Sequence, residues 1–421
     1  MTRFLHLADV HLGYTKYDSP TRTLDFFVAF QDALEKYALG ESVDFVLIAG
    51  DLFEHRQVLP SVLNQAQVCL ERLKAAGIPV FAIEGNHDYE PYGTKTSWLR
   101  YLASWDKLIL LRPEDEDVLE PWDCDRKTGS YIDLDCGVRI IGSRWYGAAA
   151  PRAIDKLARS IQALPPAPPH TVMMFHHGLE GHVARYAGAL RYQDFLPLRA
   201  AGVSYLALGH IHQNYSEADW IFNPGSVEAN SVAENQDQMA RGVYLVELTP
   251  QGIQTDLKRD YQQRPILRLA LKVNLQQTPT EVAAAAIALV QEATTQGRTQ
   301  NAIVELRIHG NIGFERMDLN VRELRECLCT ESKALIFLLR YDVTGAAYKT
   351  FLNDHDQIPN RADIERTVFS DFLAANVHYQ DQADALATGL IDLKSRVLAQ
   401  ESVADLYDFI DSLLSKSLTD G

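Results

Sequence analysis

The chain has 421 residues, more than a single compact core usually holds, so its length predicts two or three domains. Hydrophobic residues make up 47% and charged residues 23% of the sequence, which is typical of globular proteins and excludes a largely disordered chain. The formal net charge of −16, from 40 basic and 56 acidic residues, excludes non-specific nucleic-acid binding over the whole surface but not a local basic groove.

Membrane and disulfide patterns are both missing from the sequence. No run of about 18 or more apolar residues occurs, and the N-terminus enters a strand pattern without the charged segment and cleavage site of a signal peptide. The five cysteines include no C-x-x-C pair and are scattered, at Cys69, Cys124, Cys136, Cys327 and Cys329. Scattered cysteines are typical of a reducing compartment, so we expect a cytoplasmic protein with no membrane partner.

Strand-like apolar runs alternate with helix-period segments in the first part of the chain. The main strands are predicted at residues 4–8, 43–50, 79–85, 171–176 and 203–210. The helices between them are predicted at about 22–39, 60–76, 94–103, 151–163 and 193–201. Further strand patterns at 129–147 and 219–261 indicate mixed sheets. We therefore predict an α/β fold over residues 1–262, a mixed two-sheet sandwich flanked by helices in four layers.

The remainder of the chain has two different patterns. Residues 265–345 alternate strand, helix, strand, helix and strand, which predicts a small separate α/β domain. Residues 355–421 have only helical patterns and predict a helical C-terminal extension. Its amphipathic segments at about 362–378 and 403–415 are predicted to dock a partner, because an apolar stripe must be covered. Packing of these segments against the body of the protein is the alternative.

Five successive predicted strands end in side chains that bind metals. These ends are Asp9-Val10-His11, Gly50-Asp51, Gly85-Asn86-His87-Asp88, His176-His177 and Gly209-His210-Ile211-His212. Asp9 and His11 are expected to share one side, because alternate residues of an extended segment do so. Clustered histidine and aspartate side chains are costly to bury unless they are paired or bind a metal.

The chemistry of this cluster points to phosphate-ester hydrolysis. Oxygen and imidazole ligands without a thiolate suit manganese, iron, zinc or magnesium. A shared carboxylate can hold two ions about 3.5–4 Å apart, an arrangement that clamps the attacking and leaving oxygens of a phosphoester. The sequence therefore predicts a two-metal phosphoesterase.

The order D-x-H, G-D, G-N-H-D, a lone H and G-H-x-H resembles the calcineurin-like metallophosphoesterase superfamily. Within it, residues 1–260 are similar to the SbcD-type DNA double-strand-break repair nucleases in the runs GDLFEHR, FAIEGNHD, FHHGLEGH, LALGHIH and NPGSVE. The 265–345 unit resembles the capping domain of those nucleases. The resemblance implies a metal-dependent DNA nuclease with 3′–5′ exonuclease and single-strand endonuclease activity.

The resemblance also implies a role for each residue of the cluster. One ion would be held by Asp9, His11, Asp51 and His212, and the other by Asp51, Asn86, His176 and His210. His87 would stabilise the scissile phosphate or protonate the leaving 3′ oxygen, with Asp88 orienting its ring. The nucleophile would be a water or hydroxide activated by two divalent ions, expected to be Mn²⁺, with Mg²⁺, Fe²⁺ and Zn²⁺ as alternatives.

Five further residues are candidates for substrate contact. In many relatives GDLF is followed by a histidine or aspartate that contacts the substrate, whereas here Glu54 and His55 follow, which leaves the balance of exonuclease and endonuclease action open. Arg56 could belong to a local basic groove. His177 is a candidate for either a substrate contact or packing. Ser226 ends an N-P-G-S turn whose amides could bind a phosphate, and the alternative is a turn only.

Two alternative functions stay open at this point. The same site could act on a phosphomonoester or a cyclic nucleotide, because the metal motifs do not encode the substrate. The chain could also chiefly recruit an ATPase and bridge DNA ends, with hydrolysis secondary. The sequence contains no G-x-x-x-x-G-K-[ST] motif, so an ATPase would have to be a separate subunit. The resemblance implies DNA and an SbcC-type coiled-coil ATPase as partners, and a homodimer.

Overall fold

A computed structural model describes residues 1–182, 189–234, 240–345, 382–399 and 401–419, together with 365–366, 368–370 and 373. The chain divides into two compact units. The first comprises residues 1–271, 285–307 and 321–340, and the second comprises 272–284, 308–320 and 341–421. The domain limits at 262, 265, 345 and 355 stay a prediction. Most of the predicted docking segment at 362–378 lies outside the described residues.

The strands that build two large sheets come first in the chain. They are β1 (Thr2–Leu7), β2 (Phe45–Ile48), β3 (Val80–Ala82), β4 (Ile109–Leu110), β5 (Tyr131–Leu134), β6 (Val138–Ile141), β7 (His170–His176), β8 (Tyr205–Gly209), β9 (Tyr215–Glu217), β10 (Ile221–Asn223), β11 (Val243–Thr249) and β12 (Gly252–Lys258). A smaller sheet follows, formed by β13 (Ile266–Val273), β14 (Ile303–Asn311) and β15 (Ile336–Thr344).

The helices lie between and after these strands. They are α1 (Pro20–Leu34), α2 (Pro60–Ala75), α3 (Trp98–Ser104), α4 (Ala150–Gln162), α5 (Tyr192–Ala200), α6 (Pro279–Thr295), α7 (Val321–Ser332), α8 (Ala383–Leu398) and α9 (Val403–Thr419). Proline occupies the first turn of α1, α2 and α4, where its missing N–H costs no hydrogen bond. Within the described part of the chain, no helix combines the length and apolar character that crossing a membrane requires.

Both large sheets are mixed. The first has the order β12-β11-β1-β2-β3-β4. In it β1 to β4 are parallel, β11 is antiparallel to β1, and β12 is antiparallel to β11. The second has the order β5-β6-β7-β8-β10-β9, with β6, β7, β8 and β10 parallel and the two outer strands antiparallel. The carboxyl ends of the parallel strands therefore share one edge in each sheet.

Alternation of side chains along the strands builds the layers. In β1, Phe4 packs between the two sheets, whereas Leu5 and Leu7 pack in a cluster with α1, α2 and α3. A third cluster joins the outer face of the second sheet to α4 and α5. The order of layers is therefore helices, sheet, sheet, helices, and the predicted four-layer α/β fold is confirmed.

One buried histidine ties the two sheets together. His6 on β1 is fully buried, and its Nε2–H donates to the carbonyl oxygen of Leu208 at 3.0 Å. The Tyr205 hydroxyl lies 2.9 Å from Nδ1 and donates to it. These two bonds fix His6 as a neutral imidazole, so the sheets are cross-linked without a buried charge.

The terminal helices of the second unit pack on each other. A Cβ at Gly389 in α8 would lie 2.4 Å from the Leu413 side chain of α9, so glycine permits the close approach. On α9, Leu406, Ile410 and Leu413 are half-buried, but Val403 and Tyr407 are 68% and 65% exposed. The predicted apolar stripe is thus only partly covered.

We predict that His6→Leu lowers the free energy of unfolding by about 2–4 kcal/mol at pH 8, because the Leu208 carbonyl and the Tyr205 hydroxyl lose their partner. Burial, opposed in part by the bond to Leu208, lowers the pKa of His6 from 6.5 to about 3. Below pH 6.5 the unfolded chain therefore binds a proton that the folded chain does not, and stability falls by up to about 1.4 kcal/mol per pH unit.

Urea denaturation of metal-free protein at pH 5, 6 and 8 measures both effects. His6→Leu should lose this part of the dependence of the unfolding free energy on pH. The matched control is His55→Leu, which changes an exposed histidine. An unchanged slope in His6→Leu would contradict the assignment.

Candidate metal centre

The predicted ligand residues come together where the two sheets present their carboxyl edges. Asp9, Asp51 and Asn86 follow β1, β2 and β3 of the first sheet. His176 ends β7 and His210 follows β8 of the second sheet. Because the strands are parallel at these positions, all five side chains reach the same region between the sheets.

One group of donor atoms surrounds the amide oxygen of Asn86. His176 Nε2 lies 3.2 Å and His210 Nδ1 lies 2.8 Å from Asn86 Oδ1. His176 Nε2 also lies 3.1 Å from Asp51 Oδ2. The ligand atoms of Asp51, His176 and His210 are all within 4.8 Å of one another. Four donors therefore face a common point.

A second group consists of Asp9, His11 and His212. The Nε2 atoms of His11 and His212 face each other at 3.1 Å, and Asp9 Oδ1 lies 4.0 Å from His11 Nε2. The side chains of Asp9 and His11 are at most 1% exposed. Again, all three ligand atoms lie within 4.8 Å of one another.

Both groups fit divalent cations. Two ring nitrogens that face each other can share only one hydrogen, so a cation satisfies the pair better than a hydrogen bond does. Burial, and then the neighbouring His176, lower the pKa of His210 to about 3, which keeps its imidazole neutral with a lone pair available. The donors are carboxylate, amide and imidazole, which suits Mn²⁺, Mg²⁺, Fe²⁺ or Zn²⁺.

The ligand residues adopt unusual backbone conformations. Asp9, His11, Asp51 and His210 have φ angles of 53°, 51°, 53° and 88°, in the left-handed region that L-residues seldom occupy. Asp9 and His11 were expected to share a side as alternate residues of an extended strand. Their side chains do lie together, but the explanation is wrong because the backbone is not extended there. The two side chains converge because the chain turns after β1, and the Asp9 carboxylate accepts the His210 N–H at 2.9 Å.

Two motif glycines allow the strand ends to approach so closely. A Cβ at Gly85 would lie 2.1 Å from Asp51 Oδ1, and one at Gly50 would lie 2.3 Å from His176 Nδ1. Gly50 also has a φ of +94°. Any other residue at these positions would displace a ligand side chain, which explains why G-D and G-N-H-D begin with glycine.

His87 lies beside the cluster, and Asp88 has a different contact from the predicted one. The His87 side chain is 36% exposed, and its Nδ1–H donates to the Glu54 carbonyl oxygen at 2.7 Å. Asp88 is buried and accepts the backbone N–H groups of Leu52, Phe53 and Gly85 at 3.0–3.2 Å. Asp88 therefore joins two ligand loops, and the expectation that it orients the His87 ring is not supported.

Two carboxylates and one aromatic ring support the ligand histidines. His11 Nδ1 lies 2.8 Å from Glu54 Oε2, an ion-pair contact, and His212 Nδ1–H donates to Glu234 Oε1 at 3.1 Å. The Trp145 ring packs against the rings of His176 and His210, at centroid distances of 5.7 and 5.0 Å. Glu234 and Trp145 belong to no motif and were missed by the sequence analysis.

The five candidates for substrate contact fall into two groups. His55 and Arg56 are exposed, and the Arg56 guanidinium lies over the Tyr89 ring at 5.1 Å. Glu54 is half-buried against His11. His177 and Ser226 are buried; the ring nitrogens of His177 lie against the carbonyl oxygens of Gly147 and Gly178, and Ser226 N–H donates to His212 O. Both side chains are buried in the described structure, and the substrate contacts of these five residues stay a prediction.

The fold and the ligand-type side chains at its strand ends are those of a phosphoesterase domain. The chain belongs to the calcineurin-like phosphoesterase family, whose model matches residues 2–214, just over half of the sequence. The family resemblance inferred from the five motifs is therefore confirmed.

Several proteins with related sequences have been named for DNA repair. The DNA double-strand break repair protein Mre11 of Archaeoglobus fulgidus is 34% identical over 245 residues, covering 55% of this chain and 51% of the relative. The Mre11 protein of Haloferax volcanii is 28% identical over 445 residues, covering 99% of this chain and 82% of the relative. The chain thus spans about half the length of the Archaeoglobus relative.

Two further matches have no repair function in their names. The uncharacterized metallophosphoesterase YhaO of Bacillus subtilis is 26% identical over 274 residues, covering 61% of this chain and 60% of the relative. Among solved structures, TT1561 of Thermus thermophilus has 12% identity and a TM-score of 0.39, covering 61% of this chain and 98% of that protein.

We predict that Gly85→Ala weakens Mn²⁺ binding by more than about tenfold, because the added Cβ must displace the Asp51 carboxylate. Titration calorimetry with MnCl₂ measures the affinity. Gly345→Ala is the control, since a Cβ there meets nothing within 4 Å. Equal Mn²⁺ affinities in the two variants would contradict the prediction, because they would show that binding does not depend on the position of Asp51 Oδ1.

Proposed function

We propose that the chain is a metal-dependent DNA nuclease of the double-strand-break repair type that hydrolyses phosphodiesters. The observation that carries this proposal is the convergence of seven ligand-type side chains between the sheets, with the half-exposed His87 beside them. Two relatives that are named DNA double-strand break repair proteins match 55% and 99% of the chain. The proposed activities are 3′–5′ exonuclease and single-strand endonuclease.

The proposed site holds two divalent ions, Mn²⁺ by preference, with Mg²⁺, Fe²⁺ and Zn²⁺ as alternatives. Asp9, His11, Asp51 and His212 would hold one ion. Asp51, Asn86, His176 and His210 would hold the other. When bound, such ions polarise a phosphoryl oxygen and supply a water activated for attack at neutral pH. The Asn86 amide adds an oxygen ligand without a negative charge that would repel a phosphodiester.

His87 is the proposed catalytic side chain. Its Nδ1–H is held by the Glu54 carbonyl oxygen, so a second proton on the ring must be carried at Nε2. The ring lies 5.0 Å from the His11 ring, centroid to centroid, which places it next to the ligand cluster. From this position the protonated ring would stabilise charge on the phosphate or protonate the leaving 3′ oxygen.

Partners follow from the same proposal. DNA would approach the rim that carries His55 and Arg56, where an arginine supplies local positive charge on an otherwise acidic chain. A coiled-coil ATPase of the SbcC type would supply the nucleotide hydrolysis for which this sequence has no P-loop motif. A homodimer is also proposed.

A second candidate function keeps the site and changes the substrate. One similar protein is named only as a metallophosphoesterase, a name that specifies no DNA substrate, so a phosphomonoester or a cyclic nucleotide stays the alternative. The ligand residues would serve either substrate, because ions held by them would supply the same chemistry to any phosphate ester.

We predict that His87→Ala lowers Mn²⁺-dependent DNA cleavage by about 10²–10⁴-fold, the usual effect of losing a general acid, and leaves Mn²⁺ affinity unchanged. Cleavage of an end-labelled duplex and of a single-stranded circle measures the activity, with p-nitrophenyl phosphate as a competing small ester. His170→Ala is the matched control, since His170 begins β7 at the end opposite His176.

The outcomes separate the three functions. Loss of DNA cleavage in His87→Ala but not in His170→Ala supports the nuclease. Hydrolysis of p-nitrophenyl phosphate alone would favour the phosphatase or cyclic-nucleotide activity. No hydrolysis of either substrate by the unaltered protein would favour an ATPase-recruiting, end-bridging role.

A further inference from the structure

A cleft opens beside the ligand cluster at the same edge of the sheets. It holds about 80 Å³ of free space, whereas one water molecule requires about 10–15 Å³, so the cleft has room for a larger group. Its walls come from the segments after β3, β4 and β6, and β4 and β6 are the neighbours of the ligand-bearing strands β3 and β7. The lining residues are Glu84, Tyr89, Glu90, Arg112, Arg144 and Trp145.

The cleft and the ligand cluster share a wall, formed by Trp145. The Trp145 ring lines the cleft and also lies 5.7 Å from the His176 ring and 5.0 Å from the His210 ring, centroid to centroid. Glu84 and Tyr89 directly precede and follow the G-N-H-D segment that supplies a proposed ligand and the proposed catalytic histidine. A molecule with a phosphate at the ligand cluster would therefore reach the cleft with the group attached next to that phosphate.

Two buried polar atoms of the cleft have no hydrogen-bond partner among the described residues. Glu84 is only 8% exposed, and its Oε2 accepts Arg112 Nη1–H at 3.0 Å. The other oxygen, Glu84 Oε1, and the Arg112 Nε–H are both buried and unpaired there. Such groups are costly unless a ligand or a water pairs with them. The cleft thus offers one acceptor and one donor, on two side chains that are bonded to each other.

The charges that line the cleft are already balanced. Arg112 Nη1 also lies 3.8 Å from Glu90 Oε1, and Arg144 Nη1 lies 3.9 Å from Glu116 Oε1. Because both arginines have carboxylate partners, the cleft has no excess positive charge for a second phosphate. The two aromatic side chains among its lining residues favour an uncharged planar group instead.

A nucleobase has this shape and these hydrogen-bonding groups. Each of the four DNA bases carries an N–H next to a nitrogen or oxygen acceptor on its base-pairing edge. Glu84 Oε1 would accept the N–H, and Arg112 Nε–H would donate to the acceptor. Stacking of a base on an aromatic side chain adds affinity for any base, since all four have a flat π face.

We propose that this cleft binds the base of the nucleotide whose phosphate lies at the ligand cluster, with Glu84 and Arg112 as its polar contacts. The proposal rests on the phosphodiesterase function proposed above and adds to it the part of the substrate that the site recognises. Since every base satisfies the same two contacts, the cleft favours a nucleotide over an ester without a base but selects no particular sequence.

Two ligands with the same sugar and phosphate test the proposal. Deoxycytidine 5′-monophosphate carries a base, whereas 2-deoxyribose 5-phosphate does not. Titration calorimetry of the full chain in MnCl₂ measures both affinities. We expect the nucleotide to bind about 10–100-fold more tightly, the factor that stacking and two hydrogen bonds supply.

Three variants locate the effect in the cleft. Glu84→Gln should weaken nucleotide binding by about tenfold and leave the base-free ligand within about twofold, because its single amide oxygen can pair with Arg112 or with the base but not with both. Arg112→Lys keeps the positive charge, removes the Nε–H and should have the same effect. Glu247→Gln is the matched control. Glu247 also pairs with an arginine, Arg3, but at the start of β1, the end opposite Asp9, so neither affinity should change.

Each other result has a definite meaning. Equal affinities for the two ligands in the unaltered chain would overturn the proposal, as would an undiminished preference for the nucleotide in the variants at positions 84 and 112. An equal loss of affinity for both ligands in these variants would also overturn it, because the effect would then lie in the ligand cluster. If Glu84→Gln does not fold, as judged by circular dichroism, Arg112→Lys decides the question.

Cleavage of an end-labelled DNA duplex by the unaltered chain separates this proposal from the function on which it rests. Equal affinities together with intact cleavage would refute only the role of the cleft. Absence of cleavage and of binding to either ligand would refute the proposed function itself, and the role of the cleft with it.

Discussion

The site depends on where one carboxylate, that of Asp51, is held. Asp51 is 1% exposed, its Oδ1 accepts the His87 N–H at 2.8 Å, and its Oδ2 lies 3.1 Å from His176 Nε2. A single side chain therefore connects the ends of β2, β3 and β7, and so joins the two sheets at the cluster. The glycine at position 85 is required by the same carboxylate, because the space that a Cβ would need is occupied by Asp51.

The backbone cost of this arrangement is substantial. Four proposed ligands have positive φ angles, and each such residue costs about 1–3 kcal/mol. Apolar packing on both faces of the two sheets and the three N–H groups bound by Asp88 offset this cost. The donor atoms are consequently in place before a cation arrives, so little reorganisation is needed when it binds.

Cation binding by the proposed nuclease depends on the charges near the ligand cluster rather than on the net charge of the chain. The chain as a whole carries −16, which opposes a polyanion, yet the side chains around the cluster are arranged for cations. The Glu234 carboxylate accepts the His212 Nδ1–H, and the neutral amide of Asn86 adds an oxygen beside His210 without adding charge.

The sequence by itself determined the layers of the first domain and the seven ligand-type residues, because both are local patterns. Apolar alternation sets the buried faces, and each ligand lies at the end of a strand or within four residues after it. The tertiary structure alone decided what surrounds those residues. Glu234 supports a histidine 22 positions away, and Trp145 packs on rings 31 and 65 positions away, without any motif to announce them. The burial of His177 and Ser226, and the contact of Asp88 with backbone rather than with His87, likewise depend on how distant loops fold together, which no local pattern encodes.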